Sequence, residues 1–64
     1  MQTLACNEIE EGILEVRLNR PERLNAINPT LIGEVIDVFR SLQRDRRTRV
    51  VILSGAGKGF CSGA

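Results

Sequence analysis

Along residues 13–19, Leu14, Val16 and Leu18 alternate with Glu15 and Arg17. A period of two with one charged face predicts a half-buried β-strand. Residues 3–10 carry a weaker form of the pattern, with Leu4 and Cys6 set against Ala5 and Ile9. Between the two runs stands Glu10-Glu11-Gly12, where Gly12 supplies the positive φ that a tight turn requires. The pair reads as a β-hairpin. The period then lengthens. Leu31, Val35, Val38, Phe39 and Leu42 share one stripe, widened by Ile32 and Ile36, while Glu34, Asp37, Arg40, Gln43 and Arg44 lie away from it. That spacing predicts an amphipathic helix from Asn28-Pro29 to about Gln43 or Asp45. Asn28 suits the N-cap and Pro29 the first helical position. Asp37 and Arg40, three apart, are placed to pair on its polar side. Val50-Val51-Ile52-Leu53 is apolar without alternation and predicts a strand buried on both faces. Strand, helix and strand in this order form a crossover unit with parallel strands.

Two stretches fall outside these periods. Residues 19–29 form a loop bracketed by Pro21 and Pro29, each restricting the residue before it to extended angles. Leu24, Ala26 and Ile27 lie inside it. Either they tuck under the loop as core, or the loop is a wall facing a ligand. The second stretch, residues 54–64, holds Gly55, Gly57, Gly59 and Gly63, four of the chain's six glycines. A strand emptying into such a loop can present backbone N–H groups to an anion or a carbonyl oxygen. A tight turn back to the sheet is the alternative.

Composition narrows the choices. Sixty-four residues make at most one small domain, and 42% hydrophobic with 27% charged residues is ordinary for a globular chain. Two Phe with no Trp or Tyr give it few large anchors. A net charge of +1 makes no case for nucleic acid or an acidic membrane surface. The basic run Arg44-Asp45-Arg46-Arg47-Thr48-Arg49 reads as a solvated helix end. Cys6 and Cys61 are far apart, and with no His in the chain no Cys/His metal site is readable. Without a leader-like apolar run, the chain is expected to be cytoplasmic with reduced thiols and no membrane partner.

The glycine stretch fails the phosphate motifs. A P-loop fails at Ile52 and again at Gly59, and a dinucleotide fingerprint finds Phe60 or Ser62 where its last glycine belongs. No G-x-S-x-G elbow is present and no His can activate Ser62. What remains is a loop offering main-chain donors, which can stabilise a developing oxyanion.

Asn19-Arg20-Pro21-Glu22-Arg23-Leu24-Asn25-Ala26, followed by an amphipathic helix and then Val50 through Ala64, resembles the N-terminal part of the enoyl-CoA hydratase/isomerase (crotonase) superfamily. The resemblance covers essentially the whole chain. It implies an α/β chain, the N-terminal part of a spiral of ββα repeats, comprising β-hairpin, loop, amphipathic helix, buried strand and Gly-rich loop. Residues 1–64 would then be one fragment of a single domain with no internal boundary. It implies an acyl-CoA thioester substrate, coenzyme A entering only as part of that substrate, no bound cofactor or metal, and assembly into homotrimers or hexamers. By the same resemblance, the Ala64 backbone N–H is one of two oxyanion donors. Ser62 and Gly63 lie along the coenzyme A moiety, and Arg23, Leu24 and Ala26 border the same ligand. The second donor and the acid/base carboxylates would come from later segments, and Glu8, Glu10, Glu11 and Glu22 are not assigned that role. Alone, the 64 residues are expected to be inactive. Two other readings stand beside this one: a non-catalytic α/β interaction module using the apolar helix face, and a nucleotide-phosphate-binding fragment.

Overall fold

A computed structural model describes residues 1–61 and Gly63. Strand β1 (Leu4–Glu10) pairs antiparallel with β2 (Ile13–Leu18), Leu4 opposite Leu18 and Cys6 opposite Val16. The register shifts between Glu8 and Glu10, next to the turn, where Gly12 has the expected positive φ of 81°. The Gly12 carbonyl then accepts from the N–H groups of Arg49 (2.8 Å) and Val50 (3.1 Å). Those bonds dock strand β3 (Val50–Gly55), which runs parallel to β2 from Ile13 opposite Val50 to Leu18 opposite Gly55. The sheet order is β1-β2-β3.

Helix α1 (Pro29–Leu42) connects β2 to β3. The Asn28 side chain accepts from the Leu31 N–H at 2.8 Å, and Pro29 opens the helix, as the sequence predicts. The helix runs to Leu42 with Gln43 as its C-cap, as the nearer of the two expected ends has it, and does not continue to Asp45. There the Asp45 carboxylate turns the chain by accepting from the Thr48 hydroxyl and from the N–H groups of Arg47 and Thr48. These bonds, led by the Thr48 hydroxyl, hold the Asp45 carboxyl below its ordinary range. The expected Asp37–Arg40 pair is not formed. The ion pairs among the described residues join Arg17 to Glu15 and Arg47 to Glu8.

Leu4, Val16, Leu18, Leu31 and Val38 make the core, with Leu14, Val35, Leu42, Val51 and Cys61 packed around it. One carboxylate reinforces the seam between helix and hairpin. Glu34 accepts from the N–H groups of Gln2 (2.9 Å), Thr3 (2.8 Å) and Leu4 (3.2 Å) and from the Thr3 hydroxyl (2.9 Å). The Gln2 and Thr3 N–H groups in particular stabilise its charged form and lower its pKa.

Strand β3 lies where its sequence places it, but it is not buried within this chain. Val50, Ile52 and Leu53 are 49%, 40% and 53% exposed. A strand that is apolar on both faces needs cover on both. Here β3 is an edge strand, with one helix on one face of the sheet. The helix stripe divides similarly. Leu31 and Val38 are buried, whereas Ile32, Ile36 and Phe39 are exposed. Cys6 and Cys61 are both free thiols. No helix among the described residues is long and apolar enough to cross a membrane.

Candidate functional site

The two aperiodic stretches meet at one end of the sheet. After β2 the chain makes a short 3-10 turn over Pro21–Arg23, then two consecutive left-handed residues, Leu24 (φ 52°) and Asn25 (φ 55°). Asn tolerates this region, whereas for Leu it is strained. The double turn inverts the usual partition of side chains. Leu24 is 53% exposed and Ile27 41%, while the polar Asn25 is fully buried. The core reading of Leu24 and Ile27 therefore fails, and Ala26 is half-buried.

Asn25 is completely engaged. Its Oδ1 accepts from the Arg20 N–H at 2.8 Å. Its Nδ2 donates to the carbonyls of Ala56 (3.0 Å) and Gly59 (2.9 Å). The amide orientation follows from chemistry, because only the NH₂ end can serve two carbonyl oxygens. The Asn25 N–H donates to the Arg20 carbonyl at 2.8 Å, closing the turn. The Arg20 guanidinium donates to the Ala26 carbonyl. One residue further, the Ile27 N–H donates to the Gly63 carbonyl at 2.9 Å. The loop after β2 thus grips the loop after β3 at three carbonyls.

The glycine loop is shaped to accept that grip. The Ala56 N–H still donates to the Leu18 carbonyl at 2.8 Å, continuing the sheet. The chain then doubles back so tightly that a Cβ on Gly55 would stand 2.5 Å from the Phe60 carbonyl oxygen. Gly57 has φ 84°, and a Cβ there would stand 2.9 Å from the Pro21 Cβ. Both positions exclude any other residue without local displacement.

Of the residues singled out from the sequence, Arg23 and Leu24 are exposed and Ala26 and Gly63 half-buried around this junction. Ser62 and Ala64 lie outside the described residues. Leu24, Lys58, Gly59 and Cys61 line a hollow of about 210 Å³. A second, apolar hollow of about 280 Å³ lies between Ile27, Leu31, Ile32, Phe60 and Cys61. The arrangement offers main-chain groups of a glycine loop beside exposed apolar and basic side chains. Among the described residues no group of three or more metal-ligating side chains converges. Asn25 is the residue that reading the sequence missed. The one available signal was the readiness of Asn to turn the chain left-handed and to hydrogen-bond backbone locally.

A hairpin, a crossover helix and a parallel strand ending in a glycine loop define an α/β chain built around one strand-end site. A family model described as enoyl-CoA hydratase/isomerase matches residues 8–64. The chain belongs to the enoyl-CoA hydratase/isomerase family. It is 36% identical over 63 residues to 1,2-epoxyphenylacetyl-CoA isomerase of Escherichia coli (strain K12), covering 98% of this chain and 24% of that protein. It is 50% identical over 56 residues to hydroxycinnamoyl-CoA hydratase-lyase of Pseudomonas fluorescens, covering 88% and 20%. The crystal structure of enoyl-CoA hydratase from Bacillus anthracis superposes with a TM-score of 0.96 at 33% identity, over 98% of this chain and 25% of that one. The hairpin, helix and third strand match the N-terminal part of the crotonase fold. The chain spans a fifth to a quarter of these proteins' length.

Proposed function

We propose that this chain contributes the N-terminal part of an enzyme that processes acyl-CoA thioesters, and that its glycine loop supplies half of an oxyanion hole. In this reading the Ala64 backbone N–H is one donor to the thioester oxygen. Ser62 and Gly63 run along the coenzyme A moiety, and Arg23, Leu24 and Ala26 border it. Chemistry beside a thioester carbonyl builds negative charge on that oxygen. A preorganised donor stabilises the enolate, and each such donor is worth about 10²–10³ in rate. A backbone donor leaves the side chain free to vary, so an alanine can fill the role. Arg23, exposed and permanently charged, suits a phosphate of coenzyme A. The acid/base groups come from elsewhere in the enzyme, so these 64 residues alone are inactive. The reading places the enzyme in the cytoplasm as a homotrimer or a dimer of trimers.

The observation that carries the proposal is the direct bonding of the loop after β2 to the glycine loop. It supports the reading because Leu24, from the first loop, shares a hollow with Lys58, Gly59 and Cys61 of the second. The test is titration of the folded full-length chain with a panel of enoyl-CoA thioesters and with free coenzyme A, followed by turnover of those that bind. Binding that requires the thioester and turnover of at least one member are expected. A folded full-length chain that binds none of them sinks the proposal.

A second reading rests on the exposed apolar side chains of α1, Ile32, Ile36 and Phe39. It makes the chain an interaction module that binds through that face. A charged substitution at Ile36 separates the two, because it would abolish association under this reading while leaving thioester binding intact.

A further inference from the structure

We infer that Asn25 is a positioning residue. By binding the Ala56 and Gly59 carbonyls it fixes the glycine loop from its carbonyl side and leaves the N–H groups of those two peptides, Gly57 and Phe60, to face away from it. The inference deepens the acyl-CoA reading and rests on it for its catalytic consequence, though not for its structural one.

An oxyanion site has an internal conflict. Every peptide group that offers an N–H also carries a C=O, and a carbonyl oxygen facing the anion would repel it. A trans peptide sets its N–H opposite its C=O. Binding the carbonyl side of a peptide into the protein therefore aims its N–H outward. Three carbonyls of the glycine loop are bound from the neighbouring loop. Ala56 and Gly59 accept from the Asn25 side chain, and Gly63 accepts from the Ile27 N–H. The first two peptide groups carry the N–H of Gly57 and Phe60; the third leads on to Ala64, the proposed donor, which lies outside the described residues. Two of the three anchors thus come from one side chain, and the third from a backbone group two residues on.

The chemistry of that side chain is specific. Asn25 is 0% exposed, so its amide has no water to exchange with. Its two N–H donors are divided between two carbonyls, and its oxygen holds the Arg20 N–H. Ala at this position would leave all three partners unsatisfied. Asp would keep the acceptor and tolerate the left-handed backbone, but set a carboxylate against two carbonyl oxygens. Neither can hold the loop from its carbonyl side. Ligand contact is not needed for this role.

The experiment uses Asn25→Ala and Asn25→Asp in the full-length chain, with two readouts. Amide hydrogen exchange across residues 56–63 is expected to accelerate about tenfold or more in both variants, while exchange in β1 and β2 holds. On a thioester that the wild type turns over, kcat is expected to fall about tenfold, less than the loss of a donor itself would cost, because the loop is loosened while its Gly63 anchor stays. KM is expected to move less than about threefold, since substrate binding is retained and only an interaction with the transition state is misaligned. Unchanged loop exchange in a folded variant overturns the inference, and so does a loss confined to KM. Collapse of the whole fold in both variants also overturns it, by making Asn25 an ordinary structural residue. A wild type that turns over no thioester defeats the acyl-CoA reading instead, and the exchange result still decides the role of Asn25.

Discussion

The body of the molecule and the loop pair at its end are held together by opposite means. In the body the buried side chains are chiefly apolar, although one side of α1 and much of β3 stay exposed. Leu4, Val16, Leu18, Leu31 and Val38 are buried, and the sheet supplies regular backbone pairing. In the loop pair the partition is reversed, with Leu24, Ile27 and Phe60 turned out and Asn25 turned in. Hydrophobic burial is non-directional and fixes a volume, whereas hydrogen bonds fix directions. A scaffold needs the first, and a site that aims N–H groups needs the second. Under the proposed function, the exposed apolar side chains of the loops stay available to the ligand.

The largest effect is expected from removing volume in the body. Leu31→Ala should cost about 2–5 kcal/mol of unfolding free energy, measured by denaturant titration of the full-length chain, while any residual folded population keeps its thioester affinity. An equal loss of affinity in the folded state would break the comparison, because loop geometry would then depend on core packing. Gly55→Ala should act next, and in the loops. Its Cβ would meet the Phe60 backbone, and forcing that contact should cost about 1–3 kcal/mol. The expected sign is accelerated exchange at residues 56–61 with β1 and β2 unaltered.

Glu34 supplies a pH-dependent part of the body's stability. Its folded pKa lies below the ordinary value of 4.5, chiefly through the N–H groups of Gln2 and Thr3. The native state therefore binds the proton more weakly than the unfolded chain. The stabilisation is complete above about pH 4.5 and is lost as pH falls through the folded value. Wild type should be more stable than Glu34→Gln at neutral pH, and denaturant midpoints should show the gap narrowing below pH 4.5. A constant gap would mean that the side chain acts by packing and not by charge. The smallest stability effect belongs to Leu24→Ala, which should stay within about 0.5 kcal/mol because the side chain is exposed. The same variant should weaken thioester binding under the proposed function. A large stability loss there would mean that the loop's outward side chains carry the fold after all.

Much of this was legible in the residues. The alternation of Leu14, Val16 and Leu18 announced β2, and Asn28-Pro29 marked where α1 begins. The positive φ of Gly12 followed from its place between two strands. The paired motifs around Leu24 and Gly63 led to the family, whose model matches residues 8–64. These are local signals, set by side-chain period, capping chemistry and backbone sterics within a few positions.

The remainder was settled by contacts between distant segments. Val50-Val51-Ile52-Leu53 reads as a buried strand, yet its cover depends on what lies beside the sheet, and no local pattern specifies that. Leu24 and Asn25 are adjacent, and hydropathy would bury the first and expose the second. The fold does the reverse, because the partners of Asn25 are carbonyls 31 and 34 residues away. Periodicity predicts which face of an element is apolar. It does not predict which backbone oxygens will arrive from elsewhere needing a donor. The residues thus announced the strands, the helix and the family, and the tertiary fold alone chose the amide that ties the two loops together.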